Sequence, residues 1–199
     1  MPGFEQSISE EERWDLINFM RALASGDRAR SLAPVIENEP WLVAPDFTYV
    51  TNRGEAKTLR DHRGNRIVLL VLLDVKSTEE RLKELGGAAA LQSANVEMII
   101  VPNLIDVQNM ADRLPGFIVT EGIREIAETY KLFARSFSDE GLVTAPRHVE
   151  FLIDQQGYIR ARWLPAENAA WRKIATLLQQ IDLLNREKPR APAPDDHVH

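Results

Sequence analysis

Apolar residues along this chain follow first a helical rhythm and then alternating strand and helix rhythms. Between Ser9 and Leu23, Trp14, Ile17 and Met20, flanked by Leu16, Phe19 and Leu23, make an apolar surface wider than one stripe. Such a helix needs a broad partner surface. Ser9 and Glu12 have the spacing of a capping box, Glu10, Glu11 and Glu12 suit the positive end of the helix dipole, and Gly26 is the expected stop. A polar, proline-containing connector follows over residues 27–40, then an extended segment over 43–50 and turns at 52–54 and 61–65. Residues 67–73 are an unbroken run of Ile, Val and Leu, as expected for a strand buried on both faces. Residues 78–91 carry helical spacing at Leu82, Leu85 and Ala89, and 96–101 form a second apolar strand. That is a βαβ unit, so the two strands are expected to be parallel with a right-handed crossover.

The alternation continues with a short helix near 106–114, a strand over 117–120 and a helix over 123–133 that aligns Ile126, Tyr130 and Phe133. Two strands, 149–153 and 158–163, flank Asp154-Gln155-Gln156-Gly157, a hairpin turn signal. A last helix over 167–185 puts Trp171, Ile174, Leu177, Leu178, Ile181 and Leu184 on one side. The Pro-, Ala- and Asp-rich tail after Arg186 is expected to be mobile.

Composition narrows the chemistry. The chain of 199 residues has no cysteine, which removes disulfides, thiolate nucleophiles, iron–sulfur clusters and thioether-linked haem together. Thiol oxidoreductase and peroxidase activities are thereby excluded. The net charge is −6, from 24 Lys and Arg against 30 Asp and Glu, without a clustered basic face, which argues against nucleic acid as a partner. The run 67–73 is about a third of the roughly 20 residues that span a bilayer, so no membrane span is expected within this chain.

A βαβ unit followed by a helix, a hairpin and a last helix is the order of a thioredoxin fold. Ala44-Pro45-Asp46-Phe47-Thr48, then Thr58-Leu59-Arg60-Asp61-His62-Arg63-Gly64 before the first long strand, resembles the opening of redoxins of the peroxiredoxin, TlpA-like and SCO-type groups. Phe151-Leu152-Ile153-Asp154-Gln155-Gln156-Gly157-Tyr158-Ile159-Arg160 resembles their hairpin. The resemblance covers residues 41–185 and implies an α/β, thioredoxin-like fold, a central mixed sheet flanked by helices, with an additional N-terminal helix. It also implies that the reactive cysteines would stand near Ser77 and Glu80, and that the cis-proline before the hairpin strand would fall at His148, with Pro146 close by. A serine hydroxyl is far too weak an acid to replace a thiolate, and it forms no disulfide with glutamate. Ser77, Glu80 and His148 are therefore degenerate redox positions, and the cleft they would border is the expected contact surface for a protein partner.

The N-terminus carries a second resemblance. Met1-Pro2-Gly3-Phe4, then residues 8–23, is similar to the axial-methionine loop and terminal helix of a class I cytochrome c domain, which would make Met1 the counterpart of a haem ligand. Without Cys-x-x-Cys-His this chain holds no haem c, which would belong only to a longer parent protein. A cytochrome c end joined to a redoxin resembles the C-terminal part of membrane-anchored proteins related to the copper resistance D family. The organisation expected is a cytochrome c-like remnant over 1–26, a linker over 27–40, the thioredoxin-like domain over 41–185 and a mobile tail over 186–199. A chain that starts at Met1 stays in the cytoplasm, and one that ends a longer anchored parent faces the periplasm. Its oligomeric state is not legible in the sequence.

The remaining candidates are weaker. His148, or His197 and His199 with Asp195 and Asp196, are the residues that could hold a metal. His62 lies in a turn, and Glu79 and Glu80 suit a helix start better than acid–base work. A Ser77–His148–Asp triad would need an oxyanion hole, and no G-x-S-x-G elbow is present. Phosphate-loop, dinucleotide and H-E-x-x-H motifs are absent as well.

Overall fold

A computed structural model describes residues 9–37, 42–73, 75–102, 117–134, 136–137, 143–144, 148–188 and 191–194. The described elements, in chain order, are α1 (Glu10–Arg30), β1 (Leu42–Val43), β2 (Thr48–Thr51), β3 (Ala56–Thr58), β4 (Ile67–Leu73), α2 (Val75–Gly86), α3 (Ala89–Ser93), β5 (Val96–Pro102), β6 (Phe117–Glu121), α4 (Ile123–Ala134), β7 (Ser136–Phe137), β8 (Val143–Thr144), β9 (His148–Ile153), β10 (Tyr158–Trp163) and α5 (Ile174–Arg186). Short 3-10 turns stand at Leu59–His62 and Ala170–Arg172. The helix expected near 106–114 lies outside the described residues.

One sheet of eight strands, in the order β1-β10-β9-β4-β5-β6-β2-β3, organises the molecule. β4 and β5 are parallel from Ile67↔Val96 to Leu73↔Pro102, as the βαβ pattern requires, and β9 and β10 add the antiparallel hairpin on the other side of β4. The unbroken apolar run of β4 follows from its central place. Val68 and Leu70 face a core shared with Ile126, Tyr130 and Phe133 of α4, while Ile67, Leu69, Val71 and Leu73 face Leu82 and Leu85 of α2 and Leu177 and Ile181 of α5. Both faces are covered, so neither parity of the strand can be polar.

Residues 43–50, read as one extended segment, are two strands at different places in the sheet. β1 pairs with β10 at one edge, whereas β2 lies between β3 and β6 near the other. Pro45 breaks the segment because it has no N–H for a ladder. Ala44 and Phe47 are buried as the chain crosses, and the Tyr130 hydroxyl donates to the Pro45 carbonyl at 2.9 Å.

The α1 capping box is present: Ser9 N–H donates to Glu12 Oε2 at 2.8 Å, and Glu12 N–H to Ser9 Oγ at 3.2 Å. Gly26 does not end the helix, which continues to Arg30. The glycine is buried, and Ala29 one turn on is buried in the α4-side core. That packing outweighs the roughly 1 kcal/mol a helical glycine costs. Two other expectations shift for similar reasons. The helix over 78–91 is two helices separated at Gly87, and the last helix begins with the 3-10 turn that buries Trp171 before α5 starts at Ile174.

Two segments expected to be loose connections are bound to the sheet. Along 31–37, the Ala33 carbonyl accepts from Arg162 N–H at 3.0 Å, the Pro34 carbonyl from Trp171 Nε1 at 2.8 Å, and Ile36 N–H donates to Gln180 Oε1 at 2.8 Å. In the tail, Ala193 is buried, its N–H donates to the Gln156 carbonyl at 2.8 Å, and its own carbonyl accepts from Arg63 at 3.3 Å.

The approach of β2 to β6 depends on Gly122. Its φ is +86°, and a Cβ there would lie 2.7 Å from the Thr48 carbonyl oxygen. Gly122→Ala is expected to destabilise the fold by about 1–3 kcal/mol, read as a lower urea midpoint at unchanged slope.

Candidate functional site

The β9 sequence His148-Val149-Glu150-Phe151-Leu152-Ile153 is buried at every position. Alternation sends Val149, Phe151 and Ile153 to the α4-side core and Leu152 to the α2 and α5 side, the face that His148 and Glu150 share with it by strand parity. The register sets His148 opposite Leu73 and Glu150 opposite Val71, so both lie at the end of β4 from which α2 departs.

A fully buried carboxylate requires compensation, and Glu150 receives it from two sides. Arg81, on α2, donates from Nε to Oε1 at 2.7 Å and from one terminal nitrogen to Oε2 at 2.8 Å, and its other terminal nitrogen donates to Glu84 Oε2 at 3.0 Å. His148 Nε2 lies 2.8 Å from Glu150 Oε1. Burial alone pushes the Glu150 carboxyl up, but the hydrogen bonds from His148 and Arg81 outweigh it and hold the group below the ordinary carboxylate value. Burial likewise works against the Arg81 charge, and Glu150 and Glu84 more than restore it. Aromatic rings close the network. The Arg81 guanidinium lies 4.8 Å from the Trp163 ring centre, His148 meets the same indole edge-on at 5.5 Å, and Trp171 packs behind it at 6.2 Å.

Above this layer is a cleft of about 250 Å³ between α2 and the loop after β10. Glu80, Arg81, Glu84 and His148 line one part, and Trp163, Asn168 and Arg172 much of the rest. Glu80 and Arg172 form an exposed ion pair at 3.4 Å across it.

Of the residues marked from sequence, Glu80 and His148 therefore meet at one cleft. α2 starts at Val75, which places Ser77 in its first turn and Glu80 in the second. Glu80 is thus not at the helix start, and its charge answers Arg172 instead of the helix dipole. The Ser77 side chain, Met1, Pro146, Asp195, Asp196, His197 and His199 lie outside the described residues. Among the described residues no three His, Cys, Asp or Glu side chains are grouped to hold a metal ion, His148 included. His62 is bonded to the Tyr49 hydroxyl at 2.9 Å inside the fold, where burial, with Lys57 nearby, lowers its basicity.

Sequence reading missed Glu150 and Arg81. The signal was present: a lone carboxylate in the run Val149 to Ile153, and an arginine beside Leu82 on a helix whose apolar face must be buried. A second buried cluster has a plainer role. Arg160 donates to Asp154 at 3.1 Å and to Glu187 at 2.6 Å and 2.8 Å, tying the hairpin turn to the end of α5.

No family profile matches the sequence, and no curated protein does. Solved structures do match in shape. Thioredoxin peroxidase I of Plasmodium yoelii aligns over 79% of this chain and 97% of its own, at 19% identity and a TM-score of 0.54. BsSco, a member of the Sco family of cytochrome c oxidase assembly proteins, aligns over 75% and 99%, at 15% identity and 0.51. The fold is thioredoxin-like. Peroxidoxin BcpB from Mycobacterium tuberculosis agrees, over 76% and 98%, at 11% identity and 0.54. These identities carry the architecture alone. Among the described residues no helix is long and apolar enough to cross a membrane.

Proposed function

We propose that this chain is a non-catalytic thioredoxin-like module that binds a protein partner through the cleft between α2 and the loop after β10. The observation that carries the reading is a redoxin-type fold in a sequence with no cysteine, with Arg81, Glu150 and His148 forming a closed ion network beneath that cleft. Thiol chemistry has no nucleophile here. What remains at the surface is a polar cleft between α2 and that loop. The test is to place a photo-crosslinking residue at Ala169, on the cleft wall, or at Glu128, exposed on α4 against the opposite sheet face. In extracts of the source cells, a discrete adduct from position 169 and none from 128 is expected. Equal labelling from both, or none from 169, overturns the reading.

One observation favours a second reading. On α1, Leu16, Ile17 and Met20 are 50%, 42% and 62% exposed, although Ala29 is buried. An apolar helix end that reaches beyond its own core suits an accessory domain of a longer haem c-containing electron-transfer or copper-handling membrane protein, with that face covered by the haem-binding part. The periplasm would then be its location. Mapping the mature N-terminus by mass spectrometry, together with the DNA upstream of the Met1 codon, decides. An in-frame Cys-x-x-Cys-His in the mature protein is the expected result, and a true start at Met1 removes the reading.

A further inference from the structure

We infer that the cleft between α2 and the loop after β10 receives a single basic side chain, lysine or arginine, presented by an extended segment of a protein partner. The inference rests on the docking role proposed for this cleft and adds the chemistry of what enters it.

The carboxylates and guanidinium groups around the cleft are unequal in number. On its floor, each of the three Arg81 nitrogens donates to a carboxylate. On the α2 wall, Glu84 accepts from Arg81 and Glu80 from Arg172, one hydrogen bond each among the described residues, of the roughly four an ionised carboxylate can take. Glu150, held ionised, accepts from His148 Nε2 at 2.8 Å. His148 is only 7% exposed and lines the cleft. Glu80 and Glu84 add carboxylates on the α2 side. Counting Glu150 below, the carboxylates around the cleft exceed the guanidinium groups of Arg81 and Arg172 by one. One entering cation balances that difference, and an anion would meet the carboxylates of Glu80 and Glu84.

The cation already across the cleft is weakly held. Arg172 reaches Glu80 at 3.4 Å with side-chain exposures of 63% and 74%. Exposed pairs of this kind contribute about 0.2–1 kcal/mol, so an incoming ammonium or guanidinium can take the place of Arg172 at Glu80 with little loss. Size points the same way. A cleft of about 250 Å³ is smaller than the roughly 300–1,000 Å³ of sites that enclose whole small molecules. Pro165 and Ala169 offer apolar wall for the methylene stem of a long basic side chain. The net charge of −6 favours the approach of a basic partner.

The experiment uses the full chain, 15N-labelled, at pH 7.5 and low salt. It is titrated with acetyl-Gly-Gly-Lys-Gly-Gly-amide and with the same peptide carrying Glu in place of Lys. The lysine peptide is expected to shift the amides of residues 80–84 and 168–172 and the Trp163 indole N–H along a saturable curve. Glu80→Gln should weaken it about two- to five-fold, and Arg172→Ala, which removes the competing cation, should tighten it by a similar factor. Both residues are exposed, so both variants should keep the wild-type spectrum elsewhere. Tighter binding of the glutamate peptide, or weakening of the lysine peptide by Arg172→Ala, overturns the basic-ligand assignment and leaves the docking role standing. No shift from either peptide while a crosslink still forms from position 169 overturns this inference alone. Loss of both signals overturns both readings.

Discussion

Glu150→Gln is expected to cost about 3–5 kcal/mol of folding stability, the usual penalty for removing one member of a buried ion pair. The amide keeps the shape of the carboxylate but leaves the Arg81 guanidinium, 4% exposed, without its main counter-charge. Arg81→Met combined with Glu150→Leu should recover most of that loss, because replacing both charges with apolar groups removes the desolvation penalty along with the attraction. Urea denaturation of the two single variants and the double variant gives the coupling energy directly. A single-variant loss under about 1 kcal/mol would show that the network does not hold α2 to β9.

The same pair predicts a pH dependence. The folded-state value of Glu150 lies below its ordinary value of 4.5. Its contribution to stability is therefore complete above that ordinary value and is lost as pH falls through the lower folded value. Wild-type protein should lose stability with acid more steeply than Glu150→Gln below about pH 4.5. Equal slopes would show that other carboxylates govern acid unfolding.

Trp171→Ala has the second large effect, an expected loss of about 3–5 kcal/mol. The indole is fully buried, stacks behind Trp163 and donates to the Pro34 carbonyl. Removing it opens the core between α5 and the sheet and also frees the 31–37 segment. Hydrogen exchange separates these effects: the Ile36 amide, which donates to Gln180, should exchange faster in Trp171→Ala than global unfolding explains. Trp171→Phe retains most of the packing and should lose about 1 kcal/mol with the hydrogen bond. An Ile36 amide that exchanges only at the global rate would show that Trp171 does not anchor this segment.

Elements whose signal is local were legible in the chain. β4 is read from an apolar run that suits only a strand covered on both faces, and it occupies residues 67–73 as expected. The Ser9–Glu12 box is a contact between residues three apart, so spacing alone reveals it. The hairpin turn holds because the Asp154 carboxylate accepts from Gln156 and Tyr158 N–H within the same few residues. Missing cysteine needed no structure at all, and it settles that no thiol reaction takes place here.

The site was half legible. His148 and Glu80 were found through the resemblance of their surroundings to redoxins, but their meeting at one cleft depends on the β4–β9 register and on where α2 begins. Arg81 and Glu150 lie 69 residues apart. Nothing local ties one to the other, because the attraction between two charges has no periodicity along a chain and acts only after the fold has excluded water from both. The separation of 43–50 into two strands and the docking of 31–37 and 191–194 have the same origin. Backbone groups there pair with whichever sheet edge or carbonyl the packed core leaves within reach. The sequence by itself determined the order of elements and the absence of thiol chemistry, since composition and near-neighbour spacing carry both. Only the tertiary structure decided which buried charges pair and which residues line the cleft above them, since both depend on distances between residues far apart in the chain.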